Sequence, residues 1–142
     1  MEFGLFMMPV HHPSKGLART IKEDMTTIVQ ADRLGFHEAW IGEHFTIPWE
    51  NIAAPELFIA NALARTKNIK LGTGVVLLQL HDPKMLAHRI AILDHLAEGR
   101  FYFGIGTGGV PTEFEFFGIA QEKRHSRAAE VIDIVLKMWE SE

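Results

Sequence analysis

The chain contains no cysteine. Disulfides, thiolate zinc sites, iron–sulfur clusters and a cysteine nucleophile are thereby excluded. It also lacks any surplus of positive charge. Fourteen Lys and Arg stand against eighteen Asp and Glu, a formal net charge of −4. That balance offers no basic stripe to nucleic acid or to an anionic membrane. No apolar run approaches the roughly 20 residues of a membrane helix. The opening Met1-Glu2-Phe3-Gly4-Leu5-Phe6 has no basic region and carries a glutamate, so it does not read as a secretory signal. A cytoplasmic protein is the default expectation. What remains is 142 residues, 47% apolar and 23% charged. Residues 1–142 read as a single domain with one core, without linker or low-complexity segment.

Two periodicities alternate along that domain. An apolar run, Phe3 to Val10, is followed by a helical pattern in which Leu17, Ile21, Met25 and Ile28 share a face, ending at Gly35. Glu38 to Gly42 reads as a second strand. Pro55 opens a second helix, and Ile69 to Leu80 is a β-rich run. Asp82-Pro83 is an N-cap and first helical position, with the third helix running to about Ala97. Arg100 to Ile105 reads as a fourth strand, and a last helix covers roughly Gln121 to Trp139.

The strands therefore begin about 31 to 35 residues apart. A repeated strand–helix unit predicts a parallel sheet with helical crossovers. A (βα)8 barrel uses about 31 residues per unit. The expected fold is α/β, the amino-terminal four βα units of a TIM barrel, a half-barrel of parallel strands. A doubly wound open sheet is the competing architecture. A half-barrel leaves its first and fourth strands as open edges. The chain is thus expected to be part of a longer protein, or else to pair with another half.

In a barrel, chemistry collects where strands end. His11 and His12 follow the first strand, Glu43 and His44 the second, His81 and Asp82 the third. Gly104-Ile105-Gly106-Thr107-Gly108-Gly109 closes the fourth. His44 is the strongest single candidate, because imidazole gives or takes a proton near neutrality. By position alone a plain surface histidine in a loop fits somewhat better. Glu43 precedes it on extended backbone and must point elsewhere.

Several alternatives are weaker. His11 with His44 or His81 could suggest metal ligands, yet no His-x-His and no helical histidine pair occurs, and no metal site is assigned. The glycine stretch matches G-x-G-x-x-G by letter. Val110-Pro111-Thr112-Glu113, however, stands where a long helix should start. Close backbone approach to a flat or phosphorylated ligand explains it better, and a simple turn is the plainer account. Gly72-Thr73-Gly74-Val75 puts two glycines in one strand, the mark of a bulge or a near ligand. The second helix is apolar nearly all round and needs cover on two sides, for which a protein interface is the natural second.

Four stretches together carry a family resemblance. They are Phe3-Gly4-Leu5-Phe6, Gly35 through Phe45 with Glu43-His44, Ile69-Lys70-Leu71-Gly72-Thr73-Gly74-Val75, and Leu93-Asp94-His95-Leu96-Ala97-Glu98-Gly99-Arg100-Phe101 leading to Gly104-Ile105-Gly106. In these the chain resembles the amino-terminal half of the bacterial luciferase-like, flavin-dependent monooxygenases. The resemblance implies a TIM barrel that binds reduced FMN at the strand C-termini. It implies a separate flavin reductase as partner, and oxidation of a small organic substrate with O2. It makes His44 the catalytic histidine beside the flavin ring. Glu43, Thr73, Gly74, Val75, Gly106, Thr107 and Gly108 become cofactor-binding residues, with a non-proline cis peptide at Gly74-Val75. Thr107 stands where luciferases place an arginine on the phosphate, which favours the broader monooxygenase group. Asp94 and Arg100 match positions that look structural, and the second and third helices match a homodimer seam. Family members are more than twice as long, so this chain alone is expected to bind flavin poorly and to have little activity. Three other functions stay open. One is an F420 (deazaflavin)-dependent oxidoreductase of the same superfamily, and another is a non-catalytic half-barrel subunit. The third is a metal-dependent hydrolase using His11, His44 and His81.

Overall fold

Strand and helix alternate as the apolar spacing requires. β1 (Gly4–Met7) leads to α1 (Leu17–Arg33), β2 (Glu38–Ile41) to α2 (Pro55–Leu63), and β3 (Lys70–Thr73) with β4 (Val76–Leu77) to α3 (Pro83–Ala97). β5 (Phe101–Tyr102) and β6 (Ile105–Gly106) precede α4 (Pro111–Phe116) and α5 (Arg124–Glu140). This computed structural model describes residues 1–50 and 52–140. Helix ends follow local chemistry. Pro55, Pro83 and Pro111 open α2, α3 and α4, where a missing N–H costs nothing. The Asp82 carboxylate accepts from Met85 N at 2.9 Å and caps α3. After α1, Gly35 adopts φ +81°, the left-handed turn that glycine allows.

All strand pairs in the main sheet are parallel, in the order β1-β2-β3-β5. Met7 pairs with Ile41 and Ile41 with Thr73, so the three strands end level at one rim. The sheet edges are β1 and β5, as a half-barrel demands.

Two expected strands differ from their prediction. The third and fourth are each interrupted, and their outer pieces β4 and β6 form a separate parallel pair. Thr73 and Gly104 sit at the break. The Thr73 hydroxyl donates to Gly104 O at 2.7 Å and accepts from Gly104 N at 2.9 Å, in place of ladder bonds. A Cβ on residue 104 would lie 2.0 Å from Thr73 O, so only glycine permits this approach. The β-rich run also stops short, because Leu78–Leu80 turns as a 3₁₀ helix. The last helix begins as a 3₁₀ turn at Gln121–Lys123, and the short α4 was not expected.

The outer face of the sheet carries the core. Ile41, Leu71 and Ile69 meet Ile28 of α1 and Ile59 of α2, all with no exposed surface. Each such side chain contributes roughly 1.5–3 kcal/mol. A second cluster joins Val76 and Leu78 to Leu86 and Ile90 of α3 and to Val131 and Val135 of α5. On the opposite face Trp40 stacks on Tyr102 at 5.5 Å, lying over Gly72, whose missing Cβ makes the room.

The far end of the molecule is tied by two side chains. Asp32, at the end of α1, accepts from the N–H groups of Lys67, Asn68 and Ile69 at 3.0, 2.9 and 2.8 Å. Burial pushes its carboxyl up, but these three bonds outweigh that and hold it below its ordinary value. Arg100 donates to Leu63 O and Thr66 Oγ1, each at 3.2 Å, closing the end of α2. Asp94, by contrast, is exposed on α3. No helix among the described residues is long and apolar enough to cross a membrane.

Candidate functional site

Beyond the end of β2 the chain crosses the rim tightly. A Cβ on Gly42 would sit 2.5 Å from Met8 Sδ, so the backbone presses against the β1 loop. The next two side chains then diverge, as extended backbone requires. Glu43 turns inward and His44 turns toward α4.

His44 is held at both nitrogens. Nδ1 lies 3.1 Å from Oε1 of Glu113, which also accepts from Phe45 N at 2.8 Å. Nε2 lies 3.0 Å from Oε2 of Glu50, near enough for an ion pair but without hydrogen-bond alignment. A carboxylate can only accept, so Nδ1 donates to Glu113, while Nε2 faces a second carboxylate. The ring is 18% exposed, while the Glu113 side chain is 1% exposed. Thr46 and Thr112 share a hydroxyl bond of 2.8 Å and fasten the same two segments. Glu113 and Glu50 were not among the expected site residues. Pro111 at a helix start, with Glu113 in its first turn, was the only local signal. The contact to His44 is purely tertiary.

Glu43 has its partners within the protein. It is buried, and Oε2 accepts from Leu77 N at 2.7 Å. His81 Nε2 lies 3.0 and 3.1 Å from its two oxygens. The carboxylate thus lies beneath the rim and faces protein. Thr73 is likewise fully buried with its hydroxyl committed to Gly104. The Gly74-Val75 peptide is cis, at the step the resemblance names.

Val75, Gly106, Thr107 and Gly108 form one continuous patch. A Cβ on Gly106 would meet Val75 Cγ2 at 2.6 Å, and one on Gly108 would meet Leu77 Cδ2 at 2.9 Å. On the side where a Cβ would stand, the space these glycines free is filled by Val75 and Leu77. Gln79 donates to Thr107 O at 2.8 Å from a fully buried position. Phe45 and Val75 pack on the Leu77, Leu80 and Phe114 cluster, which joins the His44 segment to this patch.

The remaining rim histidines have partners of their own. His11 Nε2 lies 2.8 Å from Asp24 Oδ1. Burial pushes the Asp24 carboxyl up, against the pull of His11. Neighbouring Glu23 is drawn down to about 2 by bonds from Lys15 and Arg19. His12 is exposed, and its Nδ1 lies 2.8 Å from Ser14 Oγ. His11, His44 and His81 thus answer to separate carboxylates rather than to a common centre.

The rim supplies an imidazole set between two carboxylates, and the next residue, Phe45, packs with Val75 on one apolar cluster. Segments 42–46, 73–77 and 104–109 contain no Lys or Arg. Such a set fits the ring end of a flavin and offers no cation to its phosphate.

Comparison with known proteins agrees with that geometry. A family model described as luciferase-like monooxygenase matches residues 1–142. The chain is 40% identical over 138 residues to 4-hydroxyprotoasukamycin monooxygenase of Streptomyces nodosus subsp. asukaensis, covering 97% of this chain and 37% of that protein. It is 37% identical to limonene 1,2-monooxygenase of Rhodococcus erythropolis, covering 100% of this chain and 37% of that protein. Among solved structures it superposes with a TM-score of 0.95 and 36% identity on the oxygenating constituent of 3,6-diketocamphane monooxygenase from Pseudomonas putida, in complex with FMN. That match covers 100% of this chain and 40% of the other. The fold is therefore the first four units of a TIM barrel, and the chain spans about 40% of the length of the proteins it matches.

Proposed function

The chain belongs to the luciferase-like monooxygenase family, and from that premise we propose that it forms the flavin-ring half of a flavin-dependent monooxygenase. The full activity uses reduced FMN and O2 to oxidise a small organic substrate, with reduced flavin delivered by a separate reductase. The observation that carries this reading is that His44, just beyond β2, lies at the same strand ends as Val75 beyond β3 and Gly106 of β6.

When bound, the flavin supplies the electrons and the activation of oxygen. The residues of this chain bind, orient and shield. Val75, with Gly74 before it and Gly106 to Gly108 beside it, forms an apolar seat for the ring. Phe45, Phe114 and Phe117 pack beside it and keep water from that side. Glu113 and Glu50 flank the His44 ring and set its direction, Glu113 accepting from Nδ1, and the ring gives or takes the proton the oxidation requires. The phosphate is held by groups outside these segments, which is why this chain alone binds flavin weakly. Leu57 of α2 and Met85, Ile92 and Leu96 of α3 are exposed apolar side chains, and they suit a homodimer seam.

The test is an amide-resolved NMR titration with FMN, and with F420 in parallel. Shifts confined to His44, Val75 and Thr107 at weak affinity are the expected result. No shift at millimolar concentrations of either cofactor would remove the reading. A response to F420 alone would move it to the deazaflavin branch. Oxygen uptake with reductase and substrate, lost in His44→Ala, then tests the chemistry.

A further inference from the structure

His81 lies between a carboxylate and a guanidinium, and this fixes which of its nitrogens bears hydrogen. Arg89 Nη2 is 3.2 Å from His81 Nδ1. A guanidinium has donors only, so Nδ1 must offer its lone pair. The ring hydrogen is then on Nε2, 3.0 and 3.1 Å from the two oxygens of Glu43. Glu43 in turn accepts from Leu77 N at 2.7 Å. Leu77 lies two residues beyond Val75, and its side chain packs under Gly108. At the other end Arg89 Nε is 3.6 Å from Glu56 Oε1, a buried residue of α2. A line of polar contacts therefore runs from the patch beside His44, through β4 and α3, to α2.

We propose that Glu43, His81 and Arg89 form a positioning relay. It holds the Leu77 peptide, and with it the Val75–Gly108 patch, while His81 serves as a spacer locked in its Nε2–H tautomer. The proposal rests on the reading above that this patch seats the flavin ring. Its physical basis is that a buried carboxylate is stable in one place only while all its partners are kept. His81 supplies the second partner of Glu43, and Arg89 sets the ring so that it can. None of the three touches the cofactor.

The experiment has three readouts on the whole chain. Long-range nitrogen–proton correlation with labelled histidine reads the tautomer directly. A single Nε2–H form of His81 is expected, and an Nδ1–H or doubly protonated ring at neutral pH overturns the relay. Next, His81→Gln is compared with His81→Leu. A glutamine amide can donate to Glu43 and accept from Arg89, whereas leucine does neither. Hydrogen exchange at the Leu77 amide should rise about tenfold or more in His81→Leu and stay near the native rate in His81→Gln. Equal behaviour of the two variants overturns the proposal. If His81→Leu does not fold, Arg89→Met on the exposed face of α3 replaces it, with loss of the single tautomer expected. Finally, the FMN-induced shifts at Val75 and Thr107 should persist in His81→Gln and vanish with the relay broken. If native protein shows no FMN shifts, the functional reading fails alone, and the first two readouts still decide the relay.

Discussion

Glu113 reaches across 69 residues of sequence to hold His44, taking the ring nitrogen at 3.1 Å and the following peptide N–H at 2.8 Å with a single oxygen. One buried carboxylate thus fixes both the direction of the imidazole and the course of the backbone after it. Glu113→Ala strips an acceptor from two donors and should cost about 1–3 kcal/mol in urea unfolding. Glu113→Gln keeps an oxygen for Phe45 N and should cost less than half of that. Equal stability of the alanine variant and the native chain would show that the contact does not hold the loop.

Gly104 and Gly109 are five residues apart and make opposite predictions. A Cβ at 104 would be forced to 2.0 Å from a backbone oxygen, while at 109 it would meet nothing within 4 Å. Gly104→Ala should destabilise by about 3 kcal/mol or prevent folding. Gly109→Ala should stay within about 0.5 kcal/mol of the native chain. Thermal unfolding of the pair checks both.

Two aspartates respond to acid with opposite sign. The Asp32 carboxyl is held below its ordinary 3.8, so the unfolded chain binds its proton more readily. The stability it adds is whole above 3.8 and is lost as the pH falls through its lower native value. In Asp32→Asn, the deficit against native protein should be largest near neutrality and shrink in acid. Asp24 is raised from 3.8 by burial, and its Oδ2 has no hydrogen-bond partner. Its charge weighs against the fold as the pH rises past 3.8. Asp24→Asn keeps an acceptor for His11 and should match or exceed native stability at neutral pH, an advantage that disappears below 3.8. Denaturation midpoints across pH 3 to 7 read both trends.

The exposed Leu57, Met85, Ile92 and Leu96 predict self-association through α2 and α3. Sedimentation should give a dimer for the native chain and a monomer for Ile92→Glu with Leu96→Glu. A native monomer at high micromolar concentration would remove the seam.

The strands and long helices were legible because their apolar spacing is strong and Pro55, Asp82, Pro83 and Gly35 mark their limits. The breaks after Thr73 and after Tyr102 were not. Each lies inside a run that reads as one strand; Gly72 and Gly74 mark the first for a bulge or a near ligand, but what divides both is a clasp between Thr73 and Gly104, 31 residues apart. His44 stands out as a candidate from its place after a strand. Its partners Glu113 and Glu50 were invisible, since they come from other segments. Only the family resemblance makes Glu43 a cofactor-binding residue. A backbone alternation argument could say that it and His44 diverge, but not that His81 and Leu77 wait on the inner side.

The grip of Asp32 on Lys67, Asn68 and Ile69 lies at the opposite end of the strands from His44. Alignment of the first three strands is thereby anchored in a place that chemistry never visits. Loops at the working end can exchange side chains, lengthen or change their target without loosening that anchor. A scaffold divided in this way lets selectivity drift while the frame stays constant.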